Sequence, residues 1–303
     1  MKKNKTAMIT GGNGFVGSHL TKRLLKDGWT VNLIILKNSS LIPIQDIRSK
    51  VKIFYYTGKI TEVMNAYKKT KPDITFHLGA LFLAQHSSED IRKLIESNIL
   101  FTTQIAEAMI RNGCNNLVNT GTSWQHYENS IYNPVCLYAA TKQAAEDMLK
   151  YYTEALNLKV INLKLTDNYG PNDYRKKLFA LLKNAADTNQ RLEMSPGHQK
   201  IDIVYINDVI EAYLIAQKLI TKNSFIKMKS FSISSGNPIK LKDLVNLYGK
   251  IIKIKLKIKW GGRPYRFREV MLPSIKDNSL PGWAPKTNLR DGIKAVYLSK
   301  KTE

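Results

Sequence analysis

Only two cysteines, Cys114 and Cys136, occur among the 303 residues. They are too few for a disulfide framework and lack metal-ligand spacing, so no metal site is expected. Long apolar runs are missing too, since nothing approaches the roughly 20 residues that span a bilayer. The opening MKKNKTAMIT is basic, but its apolar stretch breaks at Gly11-Gly12, far short of a signal-peptide core. The expected location is therefore cytoplasmic. Neither low-complexity tracts nor internal repeats are found, and a hydrophobic content of 43% suits an ordered globular protein. Acidic residues are scarce: 24 stand against 47 basic ones, a net charge of +23. Such a balance suits nucleic acid or small polyanions such as dinucleotides and nucleotide sugars. The lysines are scattered, without an Arg-rich tail or a nucleic-acid motif, so neither nucleic acid nor membrane is expected as a partner. The densest basic stretch, KIIKIKLKIKW (Lys250 to Trp260), alternates from Ile252 and reads as a half-buried edge strand guarded by lysines.

What is present is an alternation of strands and helices. Strands are expected at Ala7 to Thr10, Thr30 to Leu36, Val51 to Tyr56, Ile74 to Leu78, Asn116 to Thr120 and Lys159 to Leu165. Helices are expected at Gly17 to Lys26, Ile91 to Arg111 and Leu137 to Leu156. This order predicts an α/β fold, a Rossmann-type doubly wound parallel sheet with a smaller C-terminal substrate lobe. Residues 1–165 would form the dinucleotide domain, with a returning strand-helix segment near 201–235, and 166–303 mainly the substrate lobe. Tyr174 to Gln199 reads as helical and polar.

The stretch TGGNGFVG (Thr10 to Gly17) sits between the first strand and the first helix. Gly11 and Gly14 permit a tight turn and close backbone approach, and Gly17 lets the helix pack on the sheet. The helix N-terminus offers N–H groups and a positive dipole end to a pyrophosphate. Asn13, Phe15 and Val16 complete the loop. The second strand ends Lys37-Asn38-Ser39-Ser40, without the acidic residue that usually bonds a ribose 2′-OH. Lys37 and Ser39 would suit a 2′-phosphate, so NADP(H) is favoured and NAD(H) is the alternative.

Downstream, Tyr138-Ala139-Ala140-Thr141-Lys142 opens a helix. The i, i+4 spacing puts phenol and ammonium on one face, where the lysine is expected to lower the phenol's pKa and fit it for proton exchange with a sugar oxygen.

These motifs together resemble the extended short-chain dehydrogenase/reductases, the NAD(P)-dependent nucleotide-sugar epimerases, dehydratases and reductases. The resemblance runs through TGGNGFVG, HLGA (His77 to Ala80), Asn98, the NTGTS strand end, YAATK, LTDNYGPND, IDIVYINDV and GGRPYRFREVM. It implies Tyr138 as acid/base, Lys142 on the nicotinamide ribose, and Thr122 or Ser123 bonding the reacting oxygen. Counting from the strand favours Thr122, and counting back from Tyr127 favours Ser123. Leu78, Gly79, Ala80, Asn98, Thr120 and Leu165 would lie along the cofactor. Leu81, Trp124, Asp167, Asn168, Arg263 and Arg266 would meet the nucleotide sugar, the two arginines clamping its diphosphate. A homodimer through the Tyr-bearing helix and the one before it is also implied. Lys59, Lys164, Asp167 and the Lys200-Ile201 pair depart from the family pattern. His77 and His126 read as hydrogen-bonded structural residues.

The sequence Thr122-Ser123-Trp124-Gln125 offers no carboxylate for a 4,6-dehydration. The missing acid after the second strand favours an NADPH-dependent 4-ketoreductase, acting on a 4-keto-(6-deoxy) nucleotide sugar for bacterial surface polysaccharide. A nucleotide-sugar 4-epimerase retaining NAD is the alternative, and a non-catalytic dinucleotide-binding regulator a remote one.

Overall fold

A computed structural model describes residues 5–222, 227–275 and 277–299. Seven strands form one parallel sheet in the order β11-β6-β5-β4-β1-β2-β3. They are β1 (Thr6–Thr10), β2 (Thr30–Leu36), β3 (Lys52–Tyr56), β4 (Ile74–His77), β5 (Asn116–Thr122), β6 (Lys159–Leu165) and, late in the chain, β11 (Met228–Ile233). Covered on both faces, the central strands read as runs rather than alternations: five consecutive residues of TVNLIIL are buried. Helices α1 (Phe15–Lys26) and α7 (Ile206–Lys222) cover one face, where Leu20, Leu24, Val209 and Tyr213 meet Ile9, Leu33 and Ile161. Helices α2 (Ile60–Thr70), α4 (Phe101–Arg111) and α5 (Leu137–Leu156) cover the other through Val63, Tyr67, Ile105, Met109 and Leu149. Of these, α2 escaped the sequence reading, although its buried Val63, Ala66 and Tyr67 have helical spacing. The expected helix from Ile91 is continuous but not uniform: α3 (Ile91–Ile95) passes through a π-helical turn at Glu96–Leu100 into α4.

The third core cluster belongs to a smaller lobe. Its strands are β7 (Asp167–Tyr169), β8 (Leu192–Met194), β9 (Lys200–Ile201), β10 (Ile203–Tyr205), β12 (Ile239–Lys240) and β13 (Ile258–Trp260). They form three two-stranded pairs, around which pack α6 (Leu178–Thr188), α8 (Leu241–Ile252) and α9 (Leu289–Leu298). Returning to the large sheet after this excursion, α7 and β11 tie the lobes together, whereas the strand of IDIVYIN pairs with β7 instead.

Two expectations fail here. Tyr174 to Gln199 is not one helix: α6 stops at Asn189, which takes a left-handed conformation that Asn tolerates, and β8 follows. Nor is Lys250 to Trp260 one strand. In α8 the buried Leu241, Leu244, Val245 and Tyr248 recur at helical spacing, and this period wins over the alternation as far as Ile252. Lys253 then turns left-handed, Ile254 N–H donates to Gly249 O at 3.1 Å, and only Ile258–Trp260 pairs, with β8. The alternation survives as exposure, since Lys253, Lys255, Lys257 and Lys259 are exposed while the apolar residues between them are half-buried.

Candidate active site

Strand order reverses at β1, flanked by β2 and β4, and a cleft opens at the carboxyl ends of the strands there. It encloses about 1000 Å³ and is lined on the large-lobe side by Gly11, Gly14, Phe15, Val16, Gly17, Leu78, Ala80, Thr120, Thr122, Ser123, Tyr138 and Leu165. The glycine loop fits a pyrophosphate. Gly11 has φ +65°, and a Cβ there would sit 2.9 Å from Gly79 Cα. At Gly17 a Cβ would lie 2.1 Å from Gly11 O, so any side chain would force the loop off the helix. Gly14 caps α1 without a side-chain hydrogen bond, which leaves the first-turn N–H groups for an anion. Asn13 ties this loop to the end of β2, donating to Ser39 Oγ at 2.8 Å and to Ser40 O at 2.9 Å. Lys37 is exposed and Ser39 half-buried at that end, and Lys37 to Ser40 contains no carboxylate.

Behind the cleft a chain of buried hydrogen bonds joins β1 to α5. Thr10 Oγ1 accepts from the N–H groups of Leu78 and Gly79 at 3.1 and 3.0 Å, so its own proton points to His77 Nδ1 at 2.8 Å. His77 Nε2 then donates to Thr102 Oγ1 at 2.9 Å, which donates to Asn98 O. Burial, with the Lys142 charge adding to it, drops the His77 pKa to about 3, so this histidine stays neutral and structural. Asn98, in the π-helical turn, accepts from Leu81 N–H and donates to Leu81 O and Thr141 Oγ1. It therefore holds the cleft wall from behind rather than lining it, and Leu81 is fixed with it. Its chain neighbour Phe82, absent from the residues expected to meet the substrate, lines the cleft.

Tyr138 and Lys142 lie on the buried face of α5, where desolvation dominates. Burial pushes the Tyr138 phenol well above its ordinary pKa, and the Cys136 thiol adds to the shift. Lys142 is pulled down to about 8 by burial, against the attraction of Glu146. The expected lowering of the phenol is thus reversed, because burial dominates its environment. Further along α5, Glu146 anchors a buried charge cluster. It accepts from Gln125 Nε2 at 3.0 Å and lies 3.6 Å from Lys164 Nζ. Lys164 also meets His126 Nε2 at 2.9 Å and Asp277 at 3.4 Å. Burial raises the Glu146 carboxyl, with Lys164 opposing. Asp277 is half-buried, and although that burial raises its carboxyl, the His126 hydrogen bond and the Lys164 charge hold it below its ordinary value. Gln125 also accepts from the Thr122 N–H at 3.0 Å, so the cluster steadies the end of β5. Nothing in the spacing announced it, apart from the departure at Lys164.

Thr122 and Ser123 both line the cleft, but differ in what they already do. Thr122 Oγ1 accepts from Trp124 N–H at 3.3 Å, whereas no hydrogen bond engages Ser123 Oγ among the described residues. Phe82 packs edge-on to Tyr138 at 4.9 Å and lies 5.5 Å from Trp124. The opposite wall comes from the small lobe: Asp167, Asn168, Arg175 and Lys177. A second, contiguous cavity continues past Trp124 to Arg266 and Glu269. Arg266 stacks 5.1 Å from the Trp124 ring and pairs with Glu269 at 2.8 Å. Arg263 is exposed and lines neither cavity, so of the two sequence-predicted arginines only Arg266 reaches the cleft. Arg175 and Lys177 were missed, since nothing marks a loop cation from sequence. No cluster of metal-ligand type occurs among the described residues, and no described helix is long and apolar enough to cross a membrane.

Comparison with known proteins agrees with this geometry. CDP-abequose synthase of Yersinia pseudotuberculosis is 28% identical over 97% of this chain and 98% of its own length. The CDP-abequose synthase of Salmonella muenchen is 24% identical over 98% and 99%. UDP-glucose 4-epimerase of Thermotoga maritima, solved with UDP-glucose, superposes with a TM-score of 0.85 at 22% identity, covering 96% of this chain and 97% of that one. That likeness establishes the shared fold. Residues 7–224 match the model of the NAD dependent epimerase/dehydratase family. The chain belongs to that family and is an NAD(P)-dependent enzyme of the extended short-chain dehydrogenase/reductase type.

Proposed function

We propose that the chain reduces a 4-keto nucleotide sugar with NADPH. The observation that carries this reading is the cleft itself, where Tyr138 and the hydroxyl residues Thr122 and Ser123 share a wall with the glycine loop, and where the turn after β2 offers no carboxylate to a ribose 2′-OH. A reduction needs a proton donor at the sugar oxygen, and the Tyr138 phenol is one. When bound, the nicotinamide supplies the hydride. Tyr138 gives its proton to the forming alkoxide, and the hydroxyl of Thr122 or Ser123 donates a hydrogen bond to the same oxygen. Lys142, buried two helical half-turns away on the same face, holds the ribose hydroxyls. Phe82 and Trp124 give the sugar an apolar wall suited to a deoxygenated carbon.

The exposed Lys37 and the half-buried Ser39, with no carboxylate beside them, support a ribose 2′-phosphate and hence NADP(H). Full-length similarity to two enzymes named for a CDP-linked sugar supports a nucleotide-sugar substrate, with cytidine as the base to try first. Ile91, Ile95 and Leu100 on the α3–α4 helix and Met148 and Tyr151 on α5 are exposed apolar side chains, which supports a homodimer through these helices. Denaturing the purified protein and identifying any released dinucleotide tests the assignment. A readily exchanging site that prefers NADPH is expected. Tightly held NAD(H) that resists exchange would make the enzyme an epimerase.

A further inference from the structure

The loop between β7 and α6 carries a cation that the reading above does not use. Arg175 projects from the small lobe to the glycine loop of the large one, its guanidinium carbon 4.4 Å from the Phe15 ring centroid. Phe15 is the first residue of α1, so this contact ties the β7–α6 loop to the start of that helix. Two neighbours fix its orientation. Nε donates to Asp173 Oδ1 at 2.7 Å, and Nη2 donates to Asp173 Oδ2 at 2.7 Å. Nη2 also donates to Asn168 Oδ1 at 2.9 Å and Asn168 O at 3.2 Å. Both N–H groups of Nη1 are left without a hydrogen-bond partner among the described residues, while Arg175 lines the same cleft as Gly11, Gly14 and Gly17.

We propose that Arg175 is a diphosphate-binding residue: its Nη1 edge completes, from the small lobe, the anion site that the glycine loop and α1 begin. The proposal rests on the dinucleotide reading of this cleft. A guanidinium whose Nε and Nη2 are held by Asp173 and Asn168 presents Nη1 alone, with two N–H groups that can each meet a phosphate oxygen. The contact would bridge the two lobes, so that a dinucleotide bound on α1 also orders the segment from β7 to Lys177 that lines the cleft with Asp167 and Asn168. Two diphosphates enter this enzyme, one in the dinucleotide and one in the nucleotide sugar. Stacking on Phe15, at the helix N-terminus, assigns Arg175 to the first.

Isothermal titration of ADP-ribose, AMP and CDP into the wild type and Arg175→Gln tests this without turnover. ADP-ribose affinity should fall about tenfold or more in the variant, as loss of a charge-assisted contact implies, with AMP and CDP affinities and the melting temperature unchanged. An Arg175→Lys variant should recover only part of the loss, because the fork is gone. Unchanged ADP-ribose affinity would overturn the proposal. Equal losses for AMP would reduce Arg175 to a staple of the loop, and a loss confined to CDP would move it to the sugar-nucleotide diphosphate. If the wild type bound neither ADP-ribose nor NADPH, the dinucleotide reading itself would fall, and this proposal with it.

Discussion

Lys142→Met should make the protein more stable at neutral pH while disabling it. Lys142 is only 2% exposed, and burial lowers its pKa from 10.5 to about 8. A depressed lysine pKa means that the fold disfavours the ammonium. The gap corresponds to about 3 kcal/mol of destabilisation, fully present below about pH 8, shrinking as pH rises and gone above about 10.5. Methionine keeps the apolar stem and removes the charge. Glu146 retains Lys164 at 3.6 Å and its hydrogen bond from Gln125, so it is not left alone. The variant should therefore exceed the wild type by about 2–3 kcal/mol at pH 7, a melting point roughly 5 °C higher for a chain of this size. Urea unfolding of both proteins from pH 7 to 10 reads the difference, with all other titrations common to the pair. The excess should narrow steadily toward pH 10 while turnover stays at least about a hundredfold down. A variant less stable than the wild type at pH 7, or an excess that ignores pH, would refute the reasoning.

Other substitutions probe the remaining parts. Tyr138→Phe should lower kcat by about a thousandfold, with NADPH affinity measured by fluorescence titration unchanged, because only the proton donor is lost. Gly17→Ala puts a methyl 2.1 Å from Gly11 O and should cost most of the dinucleotide affinity in the same titration. Alanine at Ser123 and at Thr122 should separate the hydroxyls: the catalytic position loses kcat, while loss of the Thr122 acceptor shows mainly as lower stability. Replacing Ile95 and Tyr151 by lysine should shift the species seen by light scattering from dimer to monomer.

Six strands of the large sheet were readable from sequence because they are short, largely apolar runs, as in TVNLIIL, and α1 because Asp27-Gly28 punctuates its end. The glycine loop and the Tyr138/Lys142 pair were readable for a related reason: local spacing alone defines them. What escaped depends on contacts distant in sequence. Glu146, Lys164, His126 and Asp277 come from four separate segments, and no one segment shows that they converge. The sign of the Tyr138 shift was misjudged because spacing reveals a neighbouring charge but not the depth of burial that overrides it. In the small lobe, short strands of two or three residues leave little periodic signal, and the alternating lysine segment imitated a strand where a helix end and a turn were needed.

The reductase assignment meets its most direct test when the protein is mixed with a CDP-linked 4-keto-6-deoxyhexose and NADPH, and cofactor and sugar are followed together by NMR. The account predicts one NADPH oxidised per 4-hydroxy sugar formed, with NADH a poorer donor. Conversion of one 4-hydroxy nucleotide sugar into its epimer, with no net consumption of dinucleotide, would contradict it.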